Sequence, residues 1–418
     1  MNTPQAPYSP ANNTRPRTAA KASARPQRWL LFALILVALN LRPALTSLAP
    51  LLRAVQGAMG LSASTAGLLT TLPILCLGLF APLAPRLAQR FGSEKTVLGV
   101  LLLLAAGIVL RSLGGASGLF AGTLVAGAAI GIIGVLLPGM VKRDFPEKAG
   151  MVTGIYSMAL CTGAAAAAGL TVPLRDFFYD WRPALAFWAL PALIAALVWW
   201  PQQRHATTHL VATAHADASL WHDRLAWQVT LFMGLQSALA YCVFGWLPAI
   251  LQDRGVTPLL SGLYLSVSVM MQVLSSLAAP WLASRQRDQS AMAMAMLLLT
   301  FSGLMGCLFA PVTTLWWWVV ILGLGQGGGF GMALAFIVLR SPDAVTAARL
   351  SGMVQGIGYS VASLGPLLVG VVHEATGNWN ALGVLFALII AGALIAGRAA
   401  GRNRFVLGKE PNDCTIPP

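Results

Sequence analysis

The chain has 418 residues, of which 57% are hydrophobic and only 10% charged, with a formal net charge of +14. Soluble domains carry about 25% charged residues, so this composition excludes a water-facing surface in proportion to the chain's size. The basic excess does not indicate a nucleic-acid partner, because the cations sit between apolar runs rather than along one face.

Residues 1–28, rich in Pro, Ala, Asn and Arg, read as a disordered cytoplasmic tail. Twelve apolar runs follow, at about 29–52, 62–85, 95–114, 117–141, 149–172, 182–201, 224–251, 257–283, 290–311, 315–339, 345–372 and 379–399. Each is long enough for a helix to cross a bilayer about 30 Å thick. Most lysines and arginines fall in the tails and loops on the side of the termini. Only Arg53, Arg111, Arg175, Arg182 and Arg254 fall on the other side, which predicts both termini in the cytoplasm. The expected fold is an all-α polytopic membrane protein with twelve transmembrane helices.

An internal repeat divides these spans. "APRLAQR" (84–90) ends the second span and "APWLASR" (279–285) ends the eighth; "GMVTGIYS" (150–157) opens the fifth and "GMVQGIGYS" (352–360) the eleventh. This predicts two six-helix bundles, 29–201 and 224–399, joined by a cytoplasmic loop 202–223 and followed by a cytoplasmic tail 400–418. Two such repeats place a substrate path between them, with rocking about a midplane site.

The first span carries one charge near its middle, Arg42 in "LNLRPALTSLAPLL" (39–52). A central arginine costs about 2.5–3.5 kcal/mol on insertion scales, and it cannot shed its proton. No carboxylate falls mid-span to pair with it or to relay a proton, which argues against proton-coupled drug export. Two partners remain open: carbonyls freed by a kink at Pro43, or an anionic substrate, which a guanidinium suits. Polar side chains at helical spacing are candidates to complete a substrate site. Thr46 lies four residues after Arg42, Gln355 and Tyr359 form an i,i+4 pair on the eleventh span, and Tyr156 is the equivalent tyrosine of the fifth. Gln236 and Gln272 lie in the seventh and eighth. For each the alternative is an interhelical hydrogen bond. Asn40, about 200° around the helix from Arg42, reads as a tie between the first span and a neighbour.

Other features carry no chemistry. "GLGQGGGFG" (323–331) follows no strand and precedes no Lys-Ser/Thr, so it is not a phosphate loop. His205 and His209 have metal-ligand spacing but sit in a polar loop, and the five cysteines form no metal or disulfide framework. The spans hold no Ser/His dyad, metal cluster or catalytic carboxylate, so neither cofactor, metal nor enzyme activity is expected.

The loop "PRLAQRFGSEK" (85–95) resembles the inner-gate motif of the major facilitator superfamily, with Leu87, Ala88, Arg90, Gly92 and Lys95 matching, Pro85 in place of the motif's first glycine and Gln89 in place of its aspartate. In the second half Ser284, before Arg285, stands at that acidic position. The resemblance implies a gate at these residues. Arg143 and Asp144 in "KRDFPEK" (142–148) either join it or belong to a solvated loop. "LNLRPALTSLAPLL", "TLPILCLGLFAPLAPRLAQRFG" (71–92), "LPGMVKRDFP" (137–146), "GIYSMA" (154–159) and "GLQSALAYCVFGWLPAIL" (234–251) are similar to the cyanate / 2-nitroimidazole transporter group within that superfamily. That similarity implies a monomer in the inner membrane carrying a small solute. The expected function is secondary or facilitative transport of a small, cyanate-like anion with Arg42 as its binding cation. The alternatives are export of 2-nitroimidazole-like compounds and a non-transporting receptor.

The predicted topology is checked on Cys414, the one cysteine outside the apolar runs. With the other four replaced by serine, a membrane-impermeant maleimide should label it in inverted vesicles and not in intact cells. Labelling in intact cells would reverse the orientation.

Overall fold

The structure is a computed structural model that describes residues 27–145, 148–205, 218–283, 285–286, 288–342 and 344–408. Ser284, His209, Cys414 and the expected N-terminal tail up to residue 26 lie outside the described residues.

Among the described residues, twelve helices have the length and apolar character to cross a membrane. They are α1 Gln27–Met59, α2 Ala63–Phe80, α3 Ser93–Leu113, α4 Gly115–Val141, α5 Gly154–Phe178, α6 Trp181–Gln203, α7 Arg224–Asp253, α8 Pro258–Ala283, α9 Ser290–Phe309, α10 Val312–Leu339, α11 Arg349–Thr376 and α12 Ala381–Ala400. No strand occurs among the described residues. The helix ends carry the expected punctuation. Ser62 caps α2 by accepting from the Thr65 amide at 3.2 Å, and Asp223 caps α7 by accepting from Leu225 and Ala226. Gly60 closes α1 in the left-handed region, at φ 64°.

The two halves meet along two helix pairs, α2 with α11 and α5 with α8. The repeat aligns α2 with α8 and α5 with α11, so the two contacts are equivalent under a pseudo-twofold. The α2–α11 pair is close enough to need glycine: a Cβ on Gly370 would lie 2.5 Å from the Ala63 carbonyl oxygen. In the other pair the Ser266 hydroxyl donates to the Ala165 carbonyl at 2.6 Å.

Polar contacts also join the halves at the face remote from the chain termini. Arg53 of α1 pairs with Asp253 of α7, whose carboxylate also accepts from the Trp379 indole at 2.6 Å. The Glu374 carboxylate of α11 accepts from the Ser64 amide of α2 at 2.7 Å, and the Gln252 amide donates to the Pro50 carbonyl at 3.1 Å.

At the opposite face each half has its own arginine clamp. In the first, Arg143 at the end of α4 donates to Glu94 at the start of α3, at 2.8 Å. In the second, Arg340 at the end of α10 donates to Gln289 just before α9 and to the carbonyls of Ala400 and Gly401, both at 2.8 Å. The register of "APRLAQR" on "APWLASR" places Glu94 opposite Gln289, so a carboxylate meets the arginine in one half where an amide meets it in the other.

One further contact constrains α1. A Cβ on Gly163 of α5 would sit 2.0 Å from the Leu39 carbonyl oxygen. Gly163→Ala should therefore destabilise the protein by about 1–3 kcal/mol or more, the range for overpacking, read as a lower melting temperature in detergent. Gly154→Ala, where the added carbon meets nothing within 4 Å, should leave melting near the parent value.

Candidate functional site

The site is built around an interruption in α1. A regular helix runs from Gln27 to Leu39, a single turn of helix from Pro43 to Thr46, a 3₁₀ turn from Ala49 to Leu51, and a last helix from Leu52 to Met59. Pro43 has no N–H to give to the Leu39 carbonyl, and the chain tightens ahead of it: the amides of Asn40 and Leu41 reach back three residues, to Val37 and Ala38, at 3.1 Å each. The kink expected at Pro43 is thus present, with Arg42 at its apex.

Neighbouring helices hold this segment. The Asn40 side chain donates to the Pro191 carbonyl of α6 at 3.2 Å, the tie to a neighbour expected from its position. The Thr46 hydroxyl donates to the Ala164 carbonyl of α5 at 2.9 Å. Arg111 of α3 donates to the Ala44 carbonyl at 2.7 Å and to the Ser47 hydroxyl at 2.9 Å.

The Arg42 guanidinium lies over the ring of Phe244 on α7, 5.6 Å from its centroid, a cation–π contact. Tyr241 of α7, Tyr359 of α11, Tyr156 of α5 and Cys161 are within electrostatic reach of it. The Tyr241 ring packs edge-on against Phe244 at 5.9 Å and against Tyr359 at 6.2 Å. No carboxylate pairs with Arg42 among the described residues. Beside it a narrow cavity lined by Ala44, Leu48, Thr70, Tyr241, Phe244 and Gly245 has room for about one water-sized molecule. This arrangement offers a permanent cation, an aromatic wall and hydroxyl groups drawn from both halves.

The residues expected from sequence divide into two groups. The structure brings Arg42, Tyr156 and Tyr359 together. Gln355 is half-buried one turn along α11 from Tyr359 and bonds to Ser351 at 2.8 Å. Thr46, Gln236 and Gln272 are buried; the donors of Thr46 and Gln272 are taken up by neighbouring helices and that of Gln236 within its own. Gln236 bonds to Ser237 at 2.7 Å; Gln272 donates to Gln326 at 3.2 Å, and Gln326 in turn donates to the Leu239 carbonyl at 3.3 Å, joining α8, α10 and α7. Sequence reasoning missed Phe244 as the ring beneath the cation, although its i,i+3 spacing from Tyr241 marks the same face. It also counted Arg111, at the end of the third run, only among the cations on the side away from the termini, whereas that side chain is 2% exposed and turned into the helix bundle.

At the termini-side face the amphipathic helix Leu83–Phe91 carries Gln89 and Arg90, and Gly92 ends it at φ 85°. Arg90 is exposed and lies over Phe91, 5.2 Å from the ring centroid; Arg285 lies 3.9 Å from that of Trp281. The ionic cluster here is formed by Arg143, which bonds to Asp144 at 2.8 and 2.9 Å and to fully buried Glu94. Burial opposes the charge on Arg143, but the bonds to Asp144 and the charges of Glu94 and Asp144 outweigh it and hold its pKa above the usual arginine value. The Trp199 indole donates to the Glu94 carbonyl at 2.9 Å and ties α6 to the same point.

Residues 30–366 match the family model of the Major Facilitator Superfamily. The chain belongs to that superfamily. It is 38% identical to the 2-nitroimidazole transporter of Escherichia coli (strain K12), over 90% of this chain and 96% of the relative. It is 32% identical to the cyanate transport protein of the same organism, over 88% of this chain and 95% of the relative. In fold it is similar to a bacterial homologue of the human lysosomal transporter Spinster, crystallised in an inward-facing, unoccupied conformation. The TM-score is 0.72 at 15% identity, covering 91% of this chain and 98% of the other. The chain is thus a multi-pass membrane protein of a transporter superfamily, with twelve helices as the sequence predicts.

Removing one partner of a buried ion pair costs about 3–5 kcal/mol because the other charge is stranded. Arg143 is 24% exposed at the side chain, so Arg143→Met should cost on the order of 2–3 kcal/mol. Glu94→Gln, which keeps an acceptor for Arg143, should cost less. Detergent melting of the two variants in parallel checks the ranking.

Proposed function

We propose that the chain is a secondary or facilitative transporter of a small anion or weakly acidic solute of the cyanate type, working by alternating access, with Arg42 as the substrate-binding cation. The observation that carries this reading is the uncompensated guanidinium at the break of α1, lying over the Phe244 ring of α7 and lacking a carboxylate partner among the described residues. A charge kept at such cost in an apolar interior marks a functional site by default. A bound anion would supply the missing countercharge. Tyr156, Tyr241 and Tyr359 would present hydroxyl donors without adding negative charge that competes with the anion. The relative named a cyanate transport protein supports the substrate class.

The second reading is export of a 2-nitroimidazole-like compound, favoured by the aromatic wall of Tyr241, Phe244 and Tyr359, against which a flat heteroaromatic ring can stack. In that case Arg42 donates to the nitro oxygens. The relative named a 2-nitroimidazole transporter supports this alternative. In both readings the chain is a monomer of the inner membrane with cytoplasmic termini and is no enzyme. Gln89, Arg90, Gly92, Arg143, Asp144, Ser284 and Arg285 form its termini-side gate. A non-transporting receptor is the weakest reading, and flux excludes it.

The test is flux of cyanate and of 2-nitroimidazole into proteoliposomes holding the parent chain or Arg42→Gln. The expected result is cyanate flux in the parent and a loss of at least about 100-fold in the variant, the scale for removing a charge-assisted contact of about 3 kcal/mol. Parent-rate flux in the variant would make Arg42 a structural residue and remove the anion reading.

A further inference from the structure

Arg111 occupies the last turn of α3, near the end of the span, where a lysine or arginine ordinarily turns to water. Here it does the opposite. The α3 backbone at this point is pressed against α4: a Cβ on Gly122 would meet the Arg111 amide nitrogen at 2.3 Å. The side chain runs to α1, where its two terminal nitrogens bond to the Ala44 carbonyl and the Ser47 hydroxyl. The remaining nitrogen, Nε, is buried without a bond. No carboxylate pairs with Arg111 among the described residues.

The two atoms it holds belong to the interrupted segment that follows Arg42. Helix ends at Thr46 and the next turn begins at Ala49, so among the described residues no backbone amide bonds to the Ala44 carbonyl. A buried carbonyl left in that state needs a donor from elsewhere. Bringing an unpaired guanidinium in from α3 is a costly way to supply one. Its planar fork can engage two acceptors in fixed relative positions, which a lysine ammonium does with less geometric control.

We propose that Arg111 is a positioning residue for the substrate site. It fixes the segment Asn40–Leu48 after the break and thereby holds the Arg42 guanidinium over Phe244, whose ring lines the cavity. The inference rests on the reading of Arg42 as the substrate-binding cation. Arg111 touches no cavity-lining ring and acts through α1 alone.

The experiment compares the parent chain with Arg111→Met, Arg111→Lys and Ser47→Ala in proteoliposomes, measuring cyanate and 2-nitroimidazole flux over a range of concentrations, with detergent melting alongside. Arg111→Met should raise the half-saturation concentration by at least about tenfold while the maximal rate falls by less than about threefold. Arg111→Lys should recover part of that loss, and Ser47→Ala, which removes one of the two bonds, should raise half-saturation by a smaller factor. An unchanged half-saturation in Arg111→Met, with or without lower melting, would overturn the proposal, since a purely structural strut lowers the amount of active protein and leaves half-saturation alone. Should Arg111→Met fail to fold, parental half-saturation in both Arg111→Lys and Ser47→Ala would overturn it equally. Arg42→Gln separates the two readings: if it is inactive while the Arg111 and Ser47 variants keep parental half-saturation, the positioning role fails and the anion site stands. If Arg42→Gln transports at the parent rate, the site reading itself fails.

Discussion

A permanent positive charge has to be kept in the apolar interior without a carboxylate beside it, and much of the first half of the molecule is arranged around that constraint. Arg42 cannot be neutralised by losing a proton. The structure instead gives it a ring face, phenolic oxygens and an irregular stretch of backbone. Irregular backbone at membrane depth is tolerated only where protein covers it, and here α3, α5 and α6 each contribute a cover. Arg111 reaches the carbonyl of Ala44, Ala164 accepts from Thr46, Gly163 admits the Leu39 carbonyl, and Pro191 accepts from Asn40.

The same constraint locates the site at the joint between the halves. Arg42 and Tyr156 come from the first repeat, Tyr241, Phe244 and Tyr359 from the second. The cavity bordered by Tyr241 and Phe244 lies where α1 and α2 approach α7. Relative movement of the halves about α2–α11 and α5–α8 therefore changes the distance between the cation and its aromatic wall. On the face remote from the termini the Arg53–Asp253 pair and the Glu374–Ser64 bond join the halves. Those contacts have to break if solute is to enter from that side, and, being partly solvated, they are individually weak enough to do so.

Much of this was legible in the sequence because it depends on one-dimensional signals. Span number follows from apolar run length, the pairing of repeats from "APRLAQR" and "APWLASR", and the kink from Pro43. What was not legible depends on direction. Reading Thr46 on the same face as Arg42 assumes 100° per residue, but residues 40–48 are not a continuous helix, and the Thr46 hydroxyl turns to α5. Arg111 was assigned by its distance from the end of a run, which says where the backbone is and nothing of where a long side chain goes. Gln236 and Gln272 are typical amides of a membrane interior: their type announces a hydrogen bond, and only the packed structure decides whether solute, another helix as for Gln272, or the same helix as for Gln236 receives it. The α1 helix also continues to Met59, past the run that ends near residue 52, because its last turns are amphipathic and lie beside the Arg53–Asp253 contact.

The two arginine clamps on the termini-side face differ in a way that matters beyond their geometry. Arg143 is held by formal charge, Arg340 by the dipoles of an amide and two carbonyls. Counterions weaken the first wherever solvent reaches it, and about a quarter of the Arg143 side chain is exposed. The second is 2% exposed and hydrogen-bonded to neutral groups, with the exposed Asp288 carboxylate as a charged neighbour. One half thus anchors this face through a carboxylate, the other through neutral acceptors, at equivalent points of the repeat.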